Sequence, residues 1–144
     1  MTEKVARGFV SRLFEWSGAL VGRKLSLIFV VDDEKIIATT LAAILSQSGF
    51  RAEAFTNPLD ALKKAHTEAP DLLLSDVVMP EMSGIDFLVR VRSEQNMVPF
   101  GFITSENSTS MRDLAMNSGA TFLICKPFSP EDVQDALSPI LGRC

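Results

Sequence analysis

Cysteine is scarce: only Cys125 and Cys144 occur in the 144 residues. Two thiols make neither a disulfide framework nor a metal-binding spacing, and a reducing cytosol suits such a chain. Long apolar runs are missing as well. No stretch reaches the roughly 18 residues needed to cross a bilayer, and charges and glycines interrupt the N-terminus, which excludes a signal-peptide core. The expectation is a cytoplasmic chain that neither spans a membrane nor is secreted. There is no Walker-type loop and no G-x-G-x-x-G stretch to support nucleotide binding. Histidine occurs once, as His66, late in a helical stretch and beside lysines. It reads as a solvated surface residue, not as a relay histidine, which belongs to a helical-bundle module.

What is present is the material of one folded domain plus an appendage. Hydrophobic residues make up 47% and charged residues 22%, a balance that can bury a core and excludes a disordered chain. The net charge of -4 is unevenly spread. Residues 1–24 carry five basic and two acidic side chains, and the remainder carries nine and sixteen. An acidic main domain repels phosphate backbones, so no direct nucleic-acid partner is expected.

From residue 25 onward, β-rich runs alternate with helical patterns. "LSLIFVV" (25–31) precedes "KIIATTLAAILSQSGF" (35–50), where apolar residues recur at Ile36, Ile37, Leu41, Ile44 and Leu45 until Gly49 stops the helix. The unit repeats: "RAEAFT" with "PLDALKKAHTEA", "DLLLS" with "GIDFLVRVRSE", "PFGFIT" with "STSMRDLAMNSGA", and "TFLICK" with "SPEDVQDALSPIL". Five strand-then-helix units imply a parallel sheet with helices on both faces, because parallel neighbours need a crossover. Fully apolar central strands agree with burial on both sides. Asn57-Pro58 and Ser129-Pro130 each place a capping side chain before a proline at the first helical position.

In such a sheet, ligands bind at the carboxyl ends of the strands. The first strand ends in Asp32-Asp33-Glu34, the third in Ser75-Asp76, the fourth in Thr104-Ser105 and the fifth in Lys126-Pro127. Two like charges about 4 Å apart repel by about 4 kcal/mol at an effective dielectric of about 20, so gathered carboxylates require a counter-ion. Lys126 supplies one positive charge. The remaining excess of hard oxygen donors, without histidine or thiolate, suits Mg²⁺. A metal, a lysine and a hydroxyl around a nucleophilic carboxylate describe phosphoryl transfer to that carboxylate.

The segments "VVDDE" (30–34), "SDVVMPEMSG" (75–84), "ITSE" (103–106) and "CKPF" (125–128) stand in an order and spacing that resembles the receiver domain of two-component response regulators, over residues 25–142. The resemblance implies a flavodoxin-like (βα)5 doubly wound sheet of order 2-1-3-4-5. It implies that Asp76 is the phosphoacceptor, that Mg²⁺ is held by Asp33 and Asp76, by Asp32 through water or hydrogen bonds and by the Val78 carbonyl, and that Thr104 and Lys126 contact phosphoryl oxygens. Pro80 and Gly84 would shape the loop after Asp76, and the Lys126-Pro127 peptide would be cis. The donor would be a sensor histidine kinase or phosphotransfer protein. The phosphorylated state would shift the segment around the fourth helix toward a surface for a downstream protein target.

One position departs from the pattern. Receivers commonly place Tyr or Phe three residues before the lysine, as a rotamer partner to the threonine in the switch; here that position is Leu123. Phe122 beside it points to the opposite side by strand alternation and is expected in the core. Val78 and Glu106 occupy the two positions that tune phosphoryl lifetime in this family.

Residues 1–24 form an appendage that receivers ordinarily lack. At helical period Val5, Phe9, Leu13, Trp16 and Leu20 share one face, with Lys4, Arg7, Ser11 and Glu15 opposite. This predicts a basic amphipathic helix, weakened by Gly8, Gly18 and Gly22. Its alternatives are packing on its own domain or a loosely ordered extension, a dimer or kinase contact, and an anionic membrane surface. With few residues after the last helix, we expect a stand-alone receiver that signals through protein contacts and assists only its own phosphorylation and autodephosphorylation. Two rivals are a docking module that is never phosphorylated and a Mg²⁺-dependent phosphohydrolase. The latter usually wants an acid two residues after its nucleophile, where Val78 stands.

Overall fold

The computed structural model describes residues 25–106 and 108–142. The expected helix within residues 1–24 and the thiol of Cys144 lie outside them. Among the described residues, five strands and five helices alternate: β1 (Leu27–Val31), α1 (Lys35–Gln47), β2 (Arg51–Phe55), α2 (Pro58–Ala65), β3 (Leu72–Asp76), α3 (Gly84–Ser93), β4 (Phe100–Thr104), α4 (Thr109–Asn117), β5 (Phe122–Cys125) and α5 (Pro130–Leu141). All neighbouring strands pair in parallel, in the order β2-β1-β3-β4-β5. This is the expected 2-1-3-4-5 order.

The apolar runs become the interior strands. Every residue of β1, β3 and β4 is buried, whereas β2 and β5 at the edges are partly exposed. Alternation along the strands divides the core in two. Phe29, Leu73, Phe100 and Phe102 face α2, α3 and α4, through Leu62, Phe87, Leu88 and Ala115. Ile28, Val30, Leu74 and Ile103 face α1 and α5, through Leu41, Leu45, Val133 and Leu137. The ring of Phe100 lies 5.3 Å edge-on from Phe87 and 5.2 Å from Phe102, contacts that hold the centre of the sheet in one packing.

Local chemistry sets the helix ends. Asn57 accepts a hydrogen bond from the Leu59 N–H, and Ser129 forms a reciprocal capping box with Asp132, each before a proline as the sequence suggests. Ser83 and Ser108 cap α3 and α4 in the same way. Helix α1 has no side-chain cap on its own N-cap residue, Glu34. The helical stretch read over 58–69 is shorter than expected, ending at Ala65 with His66 as its C-cap. Helices packed on both faces of the sheet, one after each strand, leave the five strand ends on one edge.

Candidate functional site

Strand β1 delivers Asp32 and Asp33 to that edge, β3 delivers Asp76, and the residue after β5 is Lys126. Carboxylate oxygens of Asp32, Asp33 and Asp76 lie within 4.8 Å of one another. The Lys126 ammonium spans two of them, with Nζ 3.1 Å from Asp32 Oδ2 and 3.5 Å from Asp76 Oδ1. Asp32 and Asp76 are buried, and Asp33 is exposed. The structure therefore brings together four of the residues singled out from sequence.

Burial, followed by the neighbouring charge of Asp32, pushes the carboxyl of Asp76 above its ordinary pKa, against the opposing pull of Lys126. Burial works the other way on Lys126. Its hydrogen bond to Asp32 and the charges of Asp76 and Asp32 together outweigh that and hold its pKa above the usual lysine value. The group is short of positive charge by two.

Asp76 is fixed from several directions. Its Oδ1 accepts the Val77 N–H at 2.9 Å as well as facing Lys126, and its carbonyl accepts the Ser75 hydroxyl at 2.8 Å. Among the described residues Oδ2 has no hydrogen-bond partner. The loop after β3 closes where the Gly84 N–H meets the Val77 carbonyl at 2.7 Å. A Cβ on Gly84 would stand 2.2 Å from the Asp76 carbonyl oxygen and 2.9 Å from the Phe102 ring, so only glycine fits. The side chain of Val78, two residues past Asp76, is exposed.

Thr104 ends β4 and is buried. Its Oγ1 accepts the Glu106 N–H at 3.0 Å, while its carbonyl accepts the Lys126 N–H at 2.7 Å. The backbone thus ties the hydroxyl-bearing strand to the lysine. Lys126-Pro127 is a cis peptide, as the resemblance implied. Leu123 packs on the same face as Met111, and Phe122 packs on the other face, over Gly101. Alternation along β5 is as expected, and Phe122 does not replace the missing aromatic.

His66 is exposed, as the sequence suggested, and its Nε2 lies 3.1 Å from Glu94 Oε1, joining α2 to α3 outside the acid cluster. Sequence reasoning missed that pair, the Ser75 support and the link from Thr104 to Glu106. Ser75 and Glu106 were visible as neighbours of named residues, but nothing in the pattern indicates which atoms they would meet.

The donor set fits a hard divalent cation. Asp33 is exposed, Asp76 keeps one carboxylate oxygen uncommitted, and Asp32 is held in place by accepting the Glu34 N–H at 2.9 Å and the Lys126 ammonium. The cluster contains only oxygen donors, as Mg²⁺ prefers.

The family model for the response regulator receiver domain matches residues 28–138. The alkaline phosphatase synthesis transcriptional regulatory protein PhoP of Bacillus subtilis is 37% identical over 116 residues, covering 81% of this chain and 48% of that protein. The transcriptional regulatory protein CreB of Escherichia coli is 34% identical, covering 81% and 51%. The chain thus spans about half the length of the curated relatives it matches. Among solved structures, the chemotaxis response regulator CheY4 of Vibrio cholerae superposes with a TM-score of 0.75 at 31% identity, covering 82% of this chain and 100% of that one. A CheY-like receiver domain protein from Methanospirillum hungatei gives 0.75 at 26% identity, covering 83% and 95%.

Proposed function

The chain belongs to the response regulator receiver family, and on that premise we propose that residues 25–142 receive a phosphoryl group on Asp76 from a sensor histidine kinase or phosphotransfer protein. Receivers are signalling modules rather than classical enzymes, and the chemistry proposed here is confined to the protein's own phosphorylation and its reversal. The observation that carries the reading is the single ammonium of Lys126 shared between Asp32 and Asp76, with Asp33 beside them.

Asp76 is held by Val77, Ser75 and Lys126 on one side, which leaves Oδ2 as the attacking oxygen. A bond from that oxygen to phosphorus forms as the phosphorus–nitrogen bond to the donor imidazole breaks, giving an acyl phosphate. Lys126 offsets charge on an equatorial oxygen, and Thr104 donates its hydroxyl hydrogen to another. Asp33, Asp76, the Val78 carbonyl and, through hydrogen bonds, Asp32 would hold Mg²⁺. When bound, that ion supplies the positive charge the cluster lacks and screens the donor phosphate from the carboxylates. The phosphorylated receiver would then signal by changed protein contacts, in the cytoplasm, through a partner protein or the remainder of a longer regulator.

Intact mass after incubation with Mg²⁺ and acetyl phosphate tests this directly. A phosphoryl adduct on the wild type, absent from Asp76→Ala and from the Mg²⁺-free sample, is the expected result; an adduct of equal yield on Asp76→Ala overturns it. A second reading, a docking module that is never phosphorylated, is favoured by Leu123 at the switch position and predicts no adduct at all.

A further inference from the structure

We propose that Glu106 and Ser108 couple Thr104 to the N-terminus of α4, performing by hydrogen bonds the task for which position 123 has no aromatic side chain. The inference rests on the reading that Asp76 takes a phosphoryl group, and names the route by which that event leaves the site.

Three contacts form the route. Thr104 Oγ1 accepts the backbone N–H of Glu106 at 3.0 Å. The Glu106 carboxylate accepts the Ser108 hydroxyl at 3.3 Å. Ser108 Oγ accepts the Met111 N–H at 3.1 Å, and this is the cap of α4. The polarity is consistent throughout. Thr104 accepts through a lone pair, so its own hydrogen is free to donate to a phosphoryl oxygen without releasing Glu106. Ser108 donates in one direction and accepts from the other, so its hydroxyl is oriented by Glu106. A movement of the Thr104 hydroxyl toward Asp76 therefore draws the Glu106 backbone with it, and the Glu106 carboxylate carries the displacement to the helix cap.

The receiving element is lightly held. Ala115 is the one buried residue of α4, while Leu114 and Met116 are 49% and 43% exposed. Helix α3, on the same face, buries four residues. Little apolar area anchors α4 against a shift of its first turn, so a few hydrogen bonds suffice to bias its position. Leu123 cannot serve as the route, because it packs as an apolar residue against the core on the α4 side and has no group to bond Thr104.

The experiment uses the full chain with methyl-labelled methionine, Mg²⁺ and beryllium fluoride as a stable phosphoryl mimic. Met79, buried in the loop after Asp76, reports the site; Met111 and Met116 report α4. In the wild type all three methyl signals shift. In Glu106→Ala the Met79 shift persists and the Met111 and Met116 shifts are lost, whereas Glu106→Gln retains them, since its amide oxygen still accepts from Ser108. Wild-type-like α4 shifts in Glu106→Ala overturn the proposal. Loss of those shifts in Glu106→Gln as well assigns the effect to charge and overturns the hydrogen-bond route. A wild type in which Met79 responds and α4 stays silent sinks the coupling alone; silence at Met79 too sinks the phosphoryl reading with it.

Discussion

Strand β3 has an aspartate at each end, and the two are treated in opposite ways. Asp71, just before the strand, accepts the Leu27 N–H through Oδ2 at 2.7 Å and donates its own N–H to the Leu27 carbonyl at 2.7 Å. Close by, Arg51 bridges Glu68 at 2.6 Å and Glu53 at 3.6 Å. Asp71 is exposed and spends its carboxylate on a backbone N–H, and these contacts fasten β1 and β2 to their surroundings. Asp76, the last residue of the strand, is buried beside a second carboxylate and shares one ammonium with it. The same residue type serves the backbone at one end and stores unfavourable charge at the other. A carboxylate buried against a second carboxylate at the ends of the strands is the candidate functional group of the two.

The comparison can be broken first by chemistry. Asp76→Asn should abolish the acetyl phosphate adduct completely, while Asp71→Asn leaves its yield unchanged by intact mass. Next comes the close approach that positions Asp76: Gly84→Ala forces a methyl into the Asp76 carbonyl and should destabilise the fold by about 3 kcal/mol in urea unfolding, with loss of the adduct. Lys126→Met removes the shared cation and leaves facing carboxylates, for an expected loss of about 2 kcal/mol in metal-free buffer, and it should abolish phosphorylation.

The smallest effects are the most diagnostic, since they differ in sign. Asp71→Ala strands the Leu27 N–H and should cost about 1 kcal/mol. Asp76→Asn should instead stabilise the metal-free protein at neutral pH, by a smaller margin. The sign follows from the direction of the shift. With the folded-state pKa of Asp76 above its unfolded value, the native state binds more protons between the two. Stability from this group is then full below the unfolded carboxylate pKa and is lost as pH rises through the folded one. Urea midpoints in chelator across that window should show the Asn variant gaining on the wild type as pH rises. A gap that narrows instead would remove Asp76 as a stressed group.

Much of this molecule follows from short-range pattern. Three apolar runs became β1, β3 and β4 because a strand covered on both faces needs no polar alternation. The caps at Asn57 and Ser129 followed from side chains acting within three residues. The candidate site was readable for a related reason: each of its members sits directly after a strand, so the order of strands alone carries them to one edge. The pairs that were not readable join distant positions. Asp71 meets Leu27 across 44 residues, and His66 meets Glu94 across 28. No periodicity encodes such a meeting.

What the sequence by itself determined was the alternation of elements, the sheet's parallel sense and the identity of the residues at its carboxyl edge, since these depend on local propensity and on the two-residue and 3.6-residue periods. Only the tertiary structure decided which oxygen of Asp76 Lys126 faces, that Gly84 must lie against the Asp76 carbonyl, and that Thr104 is bonded to the segment capping α4. Those outcomes turn on separations of a few tenths of an ångström between groups brought together by packing, and hydrogen bonds and charge pairs change sharply over that range.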